Sequence, residues 1–198
     1  MNSSKKISIV ILNWNGSGFL KRFLPSVISC SKGNVEIVVA DNGSTDDSKT
    51  LIETSFPTVT YLQLDQNFGF AEGYNLALES LQSDYFLLLN SDVEVTPGWL
   101  GPMLQLMGTD PAIGICQPKI LSLDRPDEFE YAGAAGSFID RFGYPFCRGR
   151  ILQVVEKDLG QYDDTIPVSW ASGACMMVSS HAWKACKGFD PDFWTHME

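Results

Sequence analysis

The chain has no cluster of lysine and arginine residues. It contains 14 basic residues against 24 acidic ones, which gives a formal net charge of −10. Proteins that bind nucleic acid need a basic surface that neutralises phosphates, so the sequence argues against a nucleic-acid partner. An acidic protein that binds a phosphorylated ligand needs a local source of positive potential, which a metal ion or a helix N-terminus can supply.

The chain also lacks paired cysteines and long apolar runs. Its five cysteines are odd in number, are scattered and never form C-x-x-C: Cys30, Cys116, Cys147, Cys175 and Cys186. They therefore predict free, mostly buried thiols in a reducing compartment, and not a disulfide framework or a zinc site. No apolar run is long enough to cross a bilayer, and the N-terminal residues lead into a strand without a signal peptide. We expect a cytoplasmic protein with at most peripheral membrane association.

Hydrophobic periodicity predicts alternating strands and helices in the first half of the chain. Apolar runs typical of buried strands cover 7–12, 35–40, 59–64 and 85–89. Helical spacing separates these strands over 19–28, where Pro25 should perturb the helix, from a cap at 44–46 to about 55, and over 70–81. A further helix over 99–107 and a strand over 113–121 follow. This order predicts an α/β fold with a mostly parallel sheet and right-handed crossovers.

The regular alternation stops after residue 121. Residues 122–167 are rich in glycine, aspartate, proline and aromatic residues, and we expect short strands or loops that cover one side of the sheet. A strand is predicted over 168–178, followed by a helix over 179–187 that Gly188 closes. The length of 198 residues is typical of one domain.

A polar motif, Asn90-Ser91-Asp92, follows the apolar strand 85–89. Strands buried on both faces belong to parallel sheets, and open α/β sheets bind ligands at the carboxyl ends of their strands. A carboxylate at that position can hold a hard divalent cation, which in turn can grip a diphosphate. A helix cap in an ordinary loop is the alternative interpretation.

Two further motifs lie at earlier strand ends. Asp41 ends the second strand and begins the turn 41–46, where its carboxylate can accept hydrogen bonds from a base or ribose, although simple turn chemistry is the alternative. The segment 67–75 contains Gly69 and Gly73, which allow the backbone to approach a ligand closely. It is not G-x-G-x-x-G, and the sequence lacks this dinucleotide-binding fingerprint altogether.

The order of these motifs resembles glycosyltransferase family 2, whose members have the GT-A fold. Residues 9–15 are similar to the opening strand of the family, 41–46 to its nucleoside-binding turn and 67–75 to its next signature. Asn90-Ser91-Asp92 stands at the metal-binding D-x-D motif, and 188–198 resembles the segment that leads to the catalytic acidic pair. The Asn-x-Asp variant with 93–100 after it is most similar to the rhamnosyltransferase branch.

The resemblance implies a role for each matching residue. Asp92 would ligate Mn²⁺ or Mg²⁺ and act in catalysis, with a weaker metal site because Asn90 replaces an aspartate. Glu198 would be the first member of the catalytic acidic pair. The remaining residues would line the nucleotide-sugar site: Asn13, Asn15, Asp41, Asn67, Gly69, Asn75, Asn90, Ser91 and Gly173. Residues 1–121 would form the nucleotide-sugar half and 122–198 the acceptor-side half.

The resemblance also implies the reaction. A sugar would pass, with inversion, from a dTDP-rhamnose-like or UDP-sugar donor to a glycan or lipid-linked saccharide acceptor, at the inner face of a membrane or in the cytoplasm. The sequence stops at Glu198, where a second carboxylate is expected, so we expect a truncated chain. A non-catalytic nucleotide-sugar-binding module is therefore the alternative. A nucleotidyltransferase is less favoured, because 15–18 is not a basic, glycine-rich loop.

Overall fold

A computed structural model describes residues 5–131 and 135–193. It confirms the α/β class. The strands are β1 (Ile7–Asn13), β2 (Val35–Asp41), β3 (Thr60–Gln63), β4 (Tyr85–Leu89), β5 (Ile115–Cys116), β6 (Ser137–Ile139), β7 (Pro145–Cys147), β8 (Arg150–Ile151), β9 (Val154–Val155) and β10 (Cys175–Ser179). The helices are α1 (Ser17–Cys30), α2 (Ser48–Ser55), α3 (Gly69–Glu79), α4 (Leu100–Thr109) and α5 (Ser180–Cys186).

The main sheet has six strands in the order β3-β2-β1-β4-β10-β5. Strands β1 to β4 pair in parallel, and β10 runs antiparallel to β4 and β5. The strand order reverses at β1, which pairs with β2 on one side and β4 on the other. Such a switch point opens a crevice at the carboxyl ends of the strands, and this crevice is the expected ligand site.

The two faces of the sheet form two apolar layers. Ile9 and Leu87 face a layer that includes Leu20 and Leu24 of α1, while Val10 and Leu88 face the opposite layer against Tyr74 of α3. Successive strand residues point to opposite faces, so a strand covered on both sides must be apolar throughout. The five residues of β4 are accordingly all buried.

Several predicted boundaries were wrong. Helix α1 covers Ser17–Cys30, two residues more at each end than the predicted 19–28. It contains Pro25, and the carbonyl of Lys21, which has no helical N–H partner there, belongs to an exposed residue, so water can satisfy it. The strand predicted over 113–121 is only Ile115–Cys116, because the chain then leaves β10 to line a cavity. The strand predicted over 168–178 is only Cys175–Ser179, the part that pairs with β4.

The second sheet is an antiparallel meander in the order β6-β7-β8-β9, which confirms the short strands expected within 122–167. A small apolar cluster around Phe129 and Ala135, with Val155 and Tyr162 packed against it, forms a core within this region. In the described ranges, no helix is both long and apolar enough to cross a membrane.

Candidate functional site

A buried polar network joins the ends of β1 and β2. Asn13 and Asp41 are register partners in the sheet, and they are 1% and 0% exposed. The Asp41 carboxylate accepts from the Ser44 backbone N–H at 2.7 Å and from Asn13 Nδ2 at 3.0 Å. Asn13 Nδ2 also lies 3.0 Å from the Ser48 hydroxyl. A buried carboxylate is tolerated only when such donors surround it, so this network fixes the floor of the crevice.

The turn after Asp41 is held by Asn15 and Asp46. Asn15 has a φ of 51°, and its Oδ1 accepts from the Thr45 backbone N–H at 2.8 Å. Asp46 accepts from the backbone N–H groups of Ser17 at 2.9 Å and Ser48 at 3.0 Å, so it connects the beginnings of α1 and α2. Burial opposes its ionisation, but the hydrogen bonds from Ser48 and Ser17 outweigh this effect and lower the pKa of Asp46 to about 2.

This use of the turn explains where α2 begins. The prediction placed a helix cap at 44–46, whereas α2 begins at Ser48. Ser44 donates and accepts within the Asp41 network, and its hydroxyl accepts from the Asn15 N–H at 2.8 Å. The polar residues of the turn therefore hydrogen-bond to residues at the ends of β1 and β2 as well as to the start of α2.

Tyr61 on β3 is a neighbour of Asp41 that sequence reasoning missed. Burial, followed by the negative charge of Asp41, raises the pKa of Tyr61 to about 12. The phenol therefore stays protonated and keeps a proton to donate. No polar motif follows or includes Tyr61 in β3, so the sequence gave no indication that this phenol lies beside Asp41.

Asn42 pins the loop before α3 onto the end of β2. It is 3% exposed, and its Nδ2 donates to Asn67 Oδ1 at 3.0 Å and to the Gly69 carbonyl at 2.8 Å. Its Oδ1 accepts from the Phe68 N–H at 3.0 Å. These contacts hold Asn67 and Gly69, two of the predicted site residues, next to the end of β2. Asn42 itself was not predicted as a site residue, although it stands next to Asp41.

The motif after β4 opens onto a cavity of about 1180 Å³. Asn90 and Asp92 line it, together with Phe70 and Gly173. The Asn90 N–H donates to the Ala174 carbonyl at 3.0 Å and so attaches the motif to the segment before β10. Ser91 points back towards the β1 end, since its Oγ is 3.7 Å from where a Cβ on Gly16 would lie.

Close packing and burial shape the wall of this cavity. A Cβ on Gly173 would lie 2.9 Å from Phe70 Cζ, so the absence of a side chain lets the ring sit there. Trp99 and Trp170 also line the cavity. Cys175 lies in the wall, but burial raises the pKa of its thiol to about 12, so it is not poised as a nucleophile.

Asp92 is the acidic residue of the motif, and it is exposed to the cavity. Within residues 5–131 and 135–193, no hydrogen bond or ion pair to its carboxylate is found, and no group of three His, Cys, Asp or Glu side chains converges on one point. Mg²⁺ is commonly held by one or two carboxylates together with substrate phosphates and water. Asp92 with the Asn90 amide oxygen fits such a shared site.

Asn75, which we expect to approach the donor, makes hydrogen bonds to the segment after α5. Its Nδ2 donates to the Phe189 carbonyl and its Oδ1 accepts from the Phe189 N–H, both at 2.9 Å. Its Nδ2 also lies 3.2 Å from Glu72 Oε2. These contacts make Asn75 a clamp on the segment after α5. The expected catalytic residue Glu198 lies outside the described residues.

Residues 8–180 match the family model of glycosyl transferase family 2. The match spans most of the chain, which therefore belongs to glycosyltransferase family 2, as its motifs suggested. It is 25% identical over 210 residues to the N-acetylglucosaminyl-diphospho-decaprenol L-rhamnosyltransferase of Mycobacterium tuberculosis, covering 97% of this chain and 67% of that protein. This relative confirms the likeness to the rhamnosyltransferase branch.

Two solved structures share the fold. S. aureus TarS 1-349 superposes with a TM-score of 0.65 at 14% identity, over 96% of this chain and 52% of that one. The mannosyltransferase PcManGT from Pyrobaculum calidifontis, in complex with GDP-Man and Mn²⁺, gives a TM-score of 0.64 at 13% identity, over 96% and 49%. The chain spans about half the length of these two proteins. The GT-A fold is thereby confirmed.

Proposed function

We propose that this chain binds a nucleoside-diphosphate sugar across the ends of β1, β2 and β4 and transfers the sugar, with inversion, to a hydroxyl of a glycan or lipid-linked saccharide. A dTDP-rhamnose-like donor or a UDP-sugar is the class we favour. The observation that carries the proposal is the placement of the buried Asn13–Asp41 network and of Asn90 and Asp92 at one edge of the sheet. The switch point of the strand order lies at that edge.

The nucleoside would lie on the β1–β2 side. Asp41 and Tyr61 offer an acceptor and a donor there, and Asn15, Asn67 and Gly69 shape the adjoining loops. The diphosphate and sugar would extend towards Asn90, Ser91 and Gly173. Residues 122–198 would contribute the acceptor side, because many residues of this part of the chain line the cavity together with Asp92.

Asp92, with Asn90, would hold Mn²⁺ or Mg²⁺ through ligands shared with the donor. A bound divalent cation would supply compensation for the charge of the diphosphate as it leaves. The chain carries a net charge of −10, so a diphosphate at this edge would otherwise meet an acidic protein. Glu198 stays the predicted first member of the catalytic acidic pair, and a carboxylate would remove the proton of the acceptor hydroxyl.

The experiment is a thermal-shift and calorimetric titration with dTDP-rhamnose, UDP-GlcNAc and GDP-mannose, each with and without Mn²⁺. A ligand that binds the native state raises the unfolding temperature, and the proposal expects this for one donor in a Mn²⁺-dependent way. Asp92→Asn should remove the Mn²⁺ dependence and leave the unliganded stability unchanged, because the carboxylate is exposed. Glu79→Gln, at an exposed acidic residue at the end of α3 and outside the cavity lining, is the control.

Three outcomes separate the parts of the proposal. If no nucleotide sugar binds, the donor site is wrong. If Asp92→Asn binds its donor with the same Mn²⁺ dependence as the parent, the metal assignment is wrong. Binding without sugar transfer to any saccharide acceptor would support the alternative of a nucleotide-sugar-binding module. If the chain transfers sugar, Glu198→Gln tests whether Glu198 acts in catalysis.

A further inference from the structure

The two neighbours of β10 in the main sheet stay paired with it over different lengths. Strand β5 pairs with β10 only as far as Cys116 and Met177. On its other edge, β10 remains paired with β4 back to Cys175, and the Asn90 N–H extends this pairing by donating to the Ala174 carbonyl at 3.0 Å. The segment before β10 therefore parts from the chain that follows β5 and stays beside the motif that follows β4.

Gln117, the residue that follows β5, bridges this gap with its side chain. Its Oε1 accepts from the Ser172 backbone N–H at 2.7 Å, across 55 residues of sequence. Ser172 in turn closes the turn 172–175, because its Oγ accepts from the Ala174 N–H and its carbonyl from the Cys175 N–H, each at 3.3 Å. A part-buried N–H needs a partner, and the Gln117 side chain supplies the acceptor that a neighbouring strand supplies within the sheet.

The turn that Gln117 holds is attached to the motif after β4 and forms part of the cavity wall. The carbonyl of Ala174 accepts the Asn90 N–H, and Asn90 lines the cavity together with Asp92. The turn contributes three consecutive residues to the wall: Ser172, Gly173 and Ala174. Gln117 itself does not line the cavity, so it can act on a bound ligand only through the residues that it holds.

We propose that Gln117 is a positioning residue, which holds the turn 172–175 and Asn90 in the arrangement that meets the sugar of a bound donor. The place of the sugar beside this wall rests on the proposed function, whereas the hold of Gln117 on the turn does not. Without the Gln117 acceptor, the turn would occupy further conformations, and the affinity for the sugar would fall with the fraction of molecules in the competent one. Contacts to the nucleoside and the diphosphate are common to the donor and to the free nucleoside diphosphate, so the loss belongs to the sugar.

The test compares the affinities of a nucleotide sugar and of its nucleoside diphosphate by calorimetry with Mn²⁺ present. The pairs are dTDP-rhamnose with dTDP, UDP-GlcNAc with UDP and GDP-mannose with GDP. Gln117→Met keeps the length of the side chain but removes the carbonyl oxygen, and it should weaken binding of the sugar nucleotide about fivefold more than binding of the diphosphate. Gln117→Glu keeps an acceptor oxygen and should restore most of this ratio. Gln105→Met, the same change at an exposed residue of α4, is the matched control and should bind both ligands as the parent does.

Hydrogen exchange of the ligand-free protein tests the hold on the turn directly. We expect faster exchange of the Ser172 and Asn90 backbone N–H groups in Gln117→Met but not in Gln117→Glu, because both groups depend on the turn that Gln117 holds. The Leu64 N–H, which bonds to the end of β2, should exchange in both variants as it does in the parent. This comparison separates a local loosening of the turn from a loss of stability of the whole fold.

The proposal is overturned if Gln117→Met binds the two ligands in the same ratio as the parent, or if Gln117→Met and Gln117→Glu change that ratio equally. Unchanged exchange of the Ser172 and Asn90 N–H groups overturns it as well, whether or not a nucleotide binds. If none of the three pairs binds to the parent, the proposed function is wrong, and the exchange result alone decides whether Gln117 holds the turn. Unfolding temperatures of the variants check that each one folds.

Discussion

The side-chain amide of Asn75 binds both backbone groups of Phe189, across a separation of 114 residues. This pair fastens the segment after α5 to α3, where the Phe189 ring also packs against Phe70 and Tyr74, with ring centres 5.9 and 6.4 Å apart. Phe70 in turn lines the cavity. The position of the last described segment is thus coupled to the cavity wall through the Asn75 amide and the Phe189 ring.

Replacing that amide should destabilise the protein. Asn75→Ala leaves the part-buried N–H and C=O of Phe189 without their partner, which costs about 1–3 kcal/mol. Urea unfolding measures the difference. Gln82→Ala, which removes an exposed amide, should change the unfolding free energy by less than about 0.5 kcal/mol. Equal effects of the two substitutions would contradict the clamp.

Gly43 should not tolerate a side chain. Its φ is 75°, and a Cβ would lie 2.6 to 2.8 Å from backbone atoms of Gln66 and Asn67. Gly98 has a similar φ of 82°, but a Cβ there would have no atom within 4 Å. The cost of Gly98→Ala therefore measures the backbone strain alone, without a steric clash. We expect Gly98→Ala to cost about 1–2 kcal/mol and Gly43→Ala at least about twice that, in urea unfolding. A similar loss of unfolding free energy at both sites would show that the loop 66–69 is not packed closely against Gly43.

Asp46 should contribute to the acid sensitivity of the fold. Its pKa is about 2 in the folded protein against an ordinary 3.8, so the unfolded chain binds more protons between these values. The stabilisation is complete above pH 3.8 and is lost as the pH falls through about 2. Asp46→Asn should therefore lose less unfolding free energy over this interval than the parent.

The control for this pH dependence is Asp47→Asn. Asp47 precedes α2 but makes no capping hydrogen bond with its side chain, so its substitution should leave the acid dependence of the parent unchanged. Urea unfolding at several pH values across the interval measures both variants. An Asp46→Asn curve parallel to that of the parent would show that the Ser17 and Ser48 contacts do not hold the carboxylate.

Gly173→Ala should alter the cavity more than the fold. The new Cβ would displace the Phe70 ring, at a cost of about 1 kcal/mol, and narrow the space beside Asn90. Gly101→Ala in α4, where a Cβ meets nothing within 4 Å, should instead stabilise the helix by about 0.5–1 kcal/mol. Unfolding and the affinity for the donor identified by titration measure both. Donor affinity that is unchanged in Gly173→Ala would place the sugar elsewhere.

The strands of the first half could be predicted because their apolar runs are continuous. The predicted strand 85–89 is β4, and 7–12 and 35–40 each stop one residue before Asn13 and Asp41. Those two residues are polar, yet they complete the ladder, since a buried network replaces apolar packing. β10 and β5 were poorly predicted, because which part of 168–178 pairs depends on β4, far away in the chain.

The site residues, like the strands, could be predicted where the signal is local in sequence and not where it depends on long-range contacts. Asp41 and the 90–92 motif could be predicted as site residues because they directly follow apolar runs. The contact of Asn75 with Phe189 and the influence of Asp41 on Tyr61 join residues that are remote in sequence, and a single sequence gives no sign of such pairing. Asn42 could have been predicted from the sequence, since an amide between Asp41 and Gly43 can hydrogen-bond to the backbone of a neighbouring loop.

The insertion of β10 between β4 and β5 has a consequence for synthesis on the ribosome. Strands β1 to β4 pair among themselves, so their four-stranded sheet can assemble once residue 89 has emerged. β5 has β10 as its sheet neighbour, and it waits for about 60 further residues before that partner exists. During that interval the β4 edge is an open template, and this nascent chain is most exposed to wrong pairing there.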